Sequence, residues 1–304
     1  MPLLKGLIAA TYTPMDSEGN IRPDMVPDYV DLMIRSGCQG LYVCGSTGEG
    51  ISLTPEERME TARAFTESTA GRVPVVIQVG CNSVRVSEEL AAHAEEIGAS
   101  AVSCNAPSYF KVTDAATLVD ITERIAGAAP STPFYYYNIP SLTGAAIDMT
   151  EYLRLAAPRI QNLQGIKYTD TKVFEYQECL EYEDGRYEVL WGCDEMLLSA
   201  LVIGCGGAIG STFASAMPCY RGVMECYLSG QIEEARKWQA RSWQFIRVLN
   251  RYGNLHAAQK VLWKMRGVDL GICRLPIPPL PEGAAERIRE DLEKIDFFSW
   301  CTEV

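Results

Sequence analysis

Histidine is almost missing: His93 and His256 are the only two in 304 residues. A histidine-built zinc or copper site would have too few ligands, and no metal is expected. Basic residues are also in deficit, 27 Lys and Arg against 39 Asp and Glu for a net charge of −12, with no cluster to match a phosphate backbone. Nucleic acid is therefore not an expected partner. The eleven cysteines, scattered from Cys38 to Cys301, contain no CxxC pair. They read as reduced, buried, small apolar residues of a cytoplasmic protein. Long hydrophobic runs are lacking too: the longest, Leu197 to Ile209, is interrupted by three glycines. The opening MPLLKGLIAATYTP has no charged segment ahead of a long apolar core. Neither a membrane span nor a leader is expected.

What the chain does have is 47% hydrophobic residues over a length that suits one large domain or two ordinary ones. Eight short β-branched or apolar runs alternate with amphipathic helical stretches. The runs are Gly6 to Pro14, Gly40 to Ser46, Pro74 to Gly80, Ser100 to Ala106, Pro133 to Pro140, Leu163 to Thr169, Tyr187 to Cys193 and Gly207 to Thr212. Eight such units in about 230 residues predict an α/β fold of the (β/α)8 TIM barrel type rather than an open doubly wound sheet. Helix punctuation agrees. Thr54-Pro55-Glu56-Glu57 has the form of a capping box with proline at the first helical position, and Gly37 and Gly98 read as helix stops. After Gly230 the pattern is helical only, at 231 to about 250, 256 to 266 and 284 to 294. The predicted organisation is a catalytic barrel over 1–230 and a three-helix C-terminal extension over 231–304 packed on it.

A (β/α)8 barrel gathers its chemistry at the C-terminal ends of its strands. Of the eight lysines, Lys167 alone lies inside an apolar strand, while the other seven read as sitting at element ends or on polar helical faces. Side-chain alternation puts Gly165, Lys167 and Thr169 on one face. If that face is the barrel interior, loss of water lowers the lysine pKa and makes the amine a nucleophile for carbonyl carbons. The competing reading is a strand-end lysine that reaches solvent or pairs with a carboxylate. Tyr137, at the end of the fifth strand, is a candidate proton shuttle or else an aromatic filling a barrel layer. The loop Gly45-Ser46-Thr47-Gly48-Glu49-Gly50 suits capture of a carboxylate or phosphate by backbone N–H groups, with the hydroxyls of Ser46 and Thr47. The segment GCGGAIG is not a dinucleotide fingerprint, because Ile209 takes the place of its third glycine and the loop precedes a strand. No nicotinamide or other cofactor is expected.

Four motifs in order, GSTGEG at 45–50, YYNIPSLTG at 136–144, GIK at 165–167 and GAIGST at 207–212, resemble the N-acetylneuraminate lyase and dihydrodipicolinate synthase superfamily of class I aldolases. The resemblance runs through the whole chain. It implies that Lys167 forms a Schiff base with the ketone of a 2-oxo acid, that Tyr137 shuttles protons, and that Ser46 and Thr47 hold the pyruvate-type carboxylate. Ser46 also matches one member of a hydroxyl relay, and Tyr109, in APSYF, matches a tyrosine that reaches into a neighbouring subunit's site. A homotetramer is implied. Synthases of the superfamily carry an arginine where this chain has Leu142, and an aliphatic side chain cannot make the bidentate pair that an arginine makes. The sialic acid lyases are similar to this sequence there and at Asp194-Glu195. Those vicinal carboxylates suit a polyhydroxylated tail or, alternatively, the capping of the next helix. On the same resemblance Thr169, Gly192 and Ser211 line the sugar side. The implied reaction is cleavage of N-acetylneuraminate to N-acetylmannosamine and pyruvate. A 2-keto-3-deoxy sugar acid aldolase and a non-catalytic barrel that binds sialic acid or pyruvate are the alternatives.

Overall fold

The computed structural model describes residues 3–302. Eight parallel strands close a barrel in sequence order: Gly6–Ala10 (β1), Gly40–Val43 (β2), Val75–Gln78 (β3), Ala101–Asn105 (β4), Phe134–Asn138 (β5), Leu163–Tyr168 (β6), Glu188–Trp191 (β7) and Gly207–Gly210 (β8). Each falls inside its predicted run. The runs overreach because the residues just past each strand, all buried or half-buried, leave the ladder to form the loops of the mouth.

Helices Val26–Arg35 (α1), Pro55–Thr69 (α2), Val84–Glu96 (α3) and Ala115–Gly127 (α4) follow the first four strands. Pro140–Thr143 (α5), Met149–Ala156 (α6), Val173–Glu181 (α7), Leu197–Val202 (α8) and Met217–Leu228 (α9) follow the rest. The capping box of α2 forms as its sequence requires, with Thr54 accepting from the Glu57 N–H and Glu57 from the Thr54 N–H. Gly37 and Gly98 both take positive φ where α1 and α3 stop. Three helices follow β8 and α9 as expected: Ile232–Asn250 (α10), Leu255–Met265 (α11) and Ala284–Glu293 (α12). A further single turn, Phe297–Trp300 (α13), comes after them; its FFSW is too short to show a period. No helix among the described residues is long and apolar enough to cross a membrane.

Alternation along the strands splits the apolar residues into two bodies. Outward residues such as Leu41, Val43 and Tyr136 join the helices in one large core, which also takes in Phe245, Trp263 and Phe297 from the C-terminal helices. Inward residues such as Ile8, Tyr42, Tyr135, Tyr137 and Ile209 fill the barrel. Of the three consecutive tyrosines, Tyr136 therefore faces out, its ring 4.9 Å from that of Tyr152 and tilted by 40°, and its two neighbours face in. The barrel floor is closed by Glu188, whose carboxylate accepts from Leu3 N (2.7 Å), Leu4 N (3.0 Å), Tyr135 Oη (2.8 Å) and Gln164 Nε2 (2.6 Å). Among the described residues no disulfide joins any of the eleven cysteines, seven of which are buried and four partly so.

Candidate active site

β5 and β6 run side by side in a register that pairs Tyr137 with Lys167. Both residues point into the barrel near its C-terminal mouth, and Lys167 is only 4% exposed. Its Nζ lies 3.9 Å from the ring centroid of Tyr137 and 3.9 Å from that of Tyr42 on β2. No described residue forms an ion pair with it, so the reading of Lys167 as a solvent-reaching or carboxylate-paired lysine does not hold. Burial drives its pKa down from 10.5 to about 7, against a weaker opposing pull from Asp194. An amine in that state is half neutral near physiological pH and can attack a carbonyl carbon.

The same burial acts in the opposite direction on the phenol. Tyr137 is pushed up to about 12, although the neighbouring Ser46 and Thr169 hydroxyls pull it back. At neutral pH it therefore rests as a phenol between two hydroxyls and can relay a proton, but it is not a standing base. Thr169 comes that close because Gly192, on the neighbouring strand end, has no side chain: a Cβ there would lie 1.9 Å from Thr169 Oγ1.

The GSTGEG loop is held from below and from outside. Thr13 Oγ1 donates to the Gly48 carbonyl at 2.7 Å, and the Glu49 and Gly50 N–H groups close turns onto Ser46 and Gly45. Glu49 takes a left-handed φ of 56° and turns its carboxylate away from the mouth to Lys260 Nζ, at 3.2 Å, and to the Arg274 N–H, at 2.7 Å. This corrects the reading of the lysines: Lys260, on α11, lies on no polar face but is 3% exposed. Its partner comes from the far end of the chain, so the sequence around it carries no sign of the pairing. Thr47 is buried and Ser46 half-buried at the mouth.

Asp194 and Glu195 diverge. Asp194 is buried, and its Oδ2 accepts from the Thr212 N–H (2.8 Å) and Thr212 Oγ1 (2.6 Å), with Tyr220 Oη next in the chain of contacts. Burial raises its pKa to about 6 despite those bonds. Glu195 is exposed, and neither carboxylate caps the following helix through its side chain. The capping alternative is not what these residues do. Ser211 is half-buried beside Thr212, and Leu142, on α5, is exposed. Tyr109 is set apart from the other candidates: it is 77% exposed and packs edge-on against the equally exposed Phe110. Of the two histidines, His93 lies beside Arg63 and His256 beside Tyr12. Tyr42, Ser103, Thr212 and Tyr220 were not singled out from the sequence. For Tyr42 the signal was available in strand parity, since Leu41 and Val43 face the helices.

The pattern of the dihydrodipicolinate synthetase family matches residues 3–295. The chain belongs to that family. N-acetylneuraminate lyase of Mus musculus is 35% identical over 97% of this chain and 94% of its own. The solved N-acetylneuraminate lyase of Aliivibrio salmonicida superposes with a TM-score of 0.94, at 34% identity and 98% coverage of both chains. The sialic acid aldolase of Ruminococcus gnavus, solved as a catalytic lysine mutant, superposes at 0.91 with 32% identity, over 98% of this chain and 99% of its own. Membership and these likenesses agree with the resemblance read from the four motifs.

Proposed function

We propose that this chain is a lyase, a Schiff-base aldolase that reversibly cleaves N-acetylneuraminate to N-acetylmannosamine and pyruvate. The observation that carries the reading is Lys167, a desolvated amine with a pKa of about 7, beside Tyr137 at a barrel mouth. The names of the relatives, lyases and aldolases of sialic acid, support the substrate.

In this mechanism the neutral Lys167 amine attacks C2 of the open-chain ketone, and the adduct loses water to give a protonated imine. The iminium draws in the electron pair of the C3–C4 bond, so no cofactor is needed as an electron sink. As that bond breaks, the C4 hydroxyl gives its proton to Tyr137 Oη, while the phenol passes its own to the substrate carboxylate. This relay suits a phenol that is protonated at rest. The enamine is then protonated at C3, and water attacks C2 to release pyruvate and the free amine. Ser46 and Thr47 hold the carboxylate. Glu195, the free oxygen of Asp194, Thr169 and Ser211 receive the hydroxylated tail beside Gly192, with Leu142 at the rim.

The assembly proposed is a cytoplasmic homotetramer in which Tyr109 completes a neighbour's site. Exposed apolar residues support it: Tyr109 and Phe110 in one loop, and Val173, Phe174 and Val202 on α7 and α8. An active monomer in sedimentation at assay concentration would overturn it. The reaction itself is tested by measuring pyruvate release from a panel of sialic and 2-keto-3-deoxy sugar acids, with borohydride trapping of pyruvate on the protein. Adduct on Lys167 and fastest release from N-acetylneuraminate are expected. Faster release from 2-keto-3-deoxygluconate moves the assignment to a sugar-acid aldolase, and binding with no release leaves a non-catalytic barrel.

A further inference from the structure

Lys167 changes charge twice in the reaction just proposed. It must be neutral to attack, yet its nitrogen carries a positive charge in the imine that follows. A buried charge needs a partner, and Lys167 has no ion-paired carboxylate among the described residues. The nearest acidic influence, Asp194, has one oxygen committed to Thr212. What does face the nitrogen is two aromatic rings, each with its centroid 3.9 Å from Nζ.

One of these rings belongs to Tyr137, which already has a task. The other is Tyr42, and its position is tightly fixed. It is fully buried, its hydroxyl donates to Ser103 Oγ at 3.1 Å, and its ring meets Tyr137 edge-on at 5.7 Å and 78°. Space for it comes from the GSTGEG loop, because a Cβ on Gly45 would lie 2.7 Å from Tyr42 Cε1. Since the hydroxyl is turned to Ser103, it is the face of the ring that Tyr42 offers to Lys167.

We propose that Tyr42 is a catalytic residue of this site, whose ring face, together with that of Tyr137, holds the positive charge of the protonated imine on Lys167. The proposal rests on the Schiff-base reading of Lys167. A π face suits this task better than a carboxylate. It attracts a cation through the ring quadrupole without demanding a particular N–H direction, so it serves the tetrahedral ammonium and the planar iminium alike. A carboxylate at hydrogen-bond distance would instead hold the resting lysine in its charged, unreactive form.

The test replaces Tyr42 by Phe, by Leu, and by phenylalanines carrying one, two and three ring fluorines, which weaken the face with little change in size. For each variant, the imine formed at Lys167 is trapped with borohydride over a range of pyruvate concentrations and pH. Tyr42→Phe should stay within about twofold of the parent, because the face is kept. At pH above the Lys167 midpoint, where the amine starts neutral, Tyr42→Leu should weaken imine formation about three- to thirtyfold, and the midpoint itself should move downward, since the ammonium loses the same support; well below the midpoint the two losses cancel. The fluorinated series, which does not depend on the leucine variant folding, should show a stepwise fall in the imine equilibrium constant measured above the midpoint. A flat fluorine series, or a Phe variant as impaired as Leu, overturns the role of the ring face. Failure to trap pyruvate on Lys167 in the parent protein would instead overturn the Schiff-base reading beneath it.

Discussion

Two lysines are buried in this molecule to almost the same extent, Lys260 at 3% and Lys167 at 4%, yet their surroundings are opposites. Lys260 is surrounded by acceptors: Glu49 at 3.2 Å, the Thr13 carbonyl at 3.2 Å and the Ile272 carbonyl. Its charge is used up in tying α11 and the segment after it to the loop of the mouth. Lys167 is given ring faces in place of acceptors, so its charge is tolerated only in part and its proton is loosely held. Burial alone does not make a lysine reactive; burial without an anion does.

The comparison can be broken most sharply at Lys167. Lys167→Ala should lower turnover at least about 10⁴-fold, as removal of a nucleophile does, while circular dichroism and melting stay near those of the parent. Pyruvate trapping should vanish with it; residual adduct on another lysine would contradict the assignment. Lys260→Met should do the reverse, costing about 3–5 kcal/mol of stability by stranding the buried Glu49 carboxylate. Adding Glu49→Gln should return much of that loss in denaturant titrations, and an absence of coupling would show that the pair is not what holds α11.

Among the groups around Lys167, Tyr137→Phe should reduce kcat by roughly 10²-fold while imine trapping survives, because the ring face remains and only the relay is lost. A raised KM with unchanged kcat would make Tyr137 a binding residue. Glu195→Gln should cost about tenfold on N-acetylneuraminate and less on substrates without the tail, leaving trapping by pyruvate intact. Equal losses on both substrate types would remove Glu195 from the sugar side. The smallest effect is one of stability. Between about pH 7 and 10.5 the unfolded chain holds a proton on Lys167 that the folded chain does not, so this group makes stability rise with pH across that window. Lys167→Met should therefore melt a few degrees above the parent at pH 7, with the gap closing towards pH 10.5. A gap that does not change with pH would mean that burial of the charge is not its cause.

The barrel was legible because its two signals are local. Runs of β-branched residues mark strands, and side-chain parity along them decides what faces in. Lys167 stood out for the same reason, as the one lysine within such a run. Lys260 did not, because a lysine between Gln259 and Val261 on an amphipathic helix looks solvated unless its distant partner Glu49 is known. Asp194 was half legible. Its acidity and place at the seventh strand end were visible, but the Thr212 hydroxyl that occupies one of its oxygens comes from the next strand end. Tyr42 was half legible too: parity along its strand places it inside the barrel, but an aromatic in GLYVCGS reads as packing until the sixth strand brings a lysine to its face. Pairings across the barrel depend on closure, and closure is not written in any one segment.

The floor of the barrel has a kinetic consequence. With Glu188 drawing Leu3, Leu4, Tyr135 and Gln164 together beneath the strands, the chamber has a closed end, and on the proposed reading the fragment bonded to Lys167 lies inside the fragment held by the groups proposed for the sugar. Traffic in such a vessel is last in, first out. The aldehyde fragment, lying outermost, departs before the fragment still bonded to the protein, so pyruvate should inhibit cleavage competitively and the amino sugar should not.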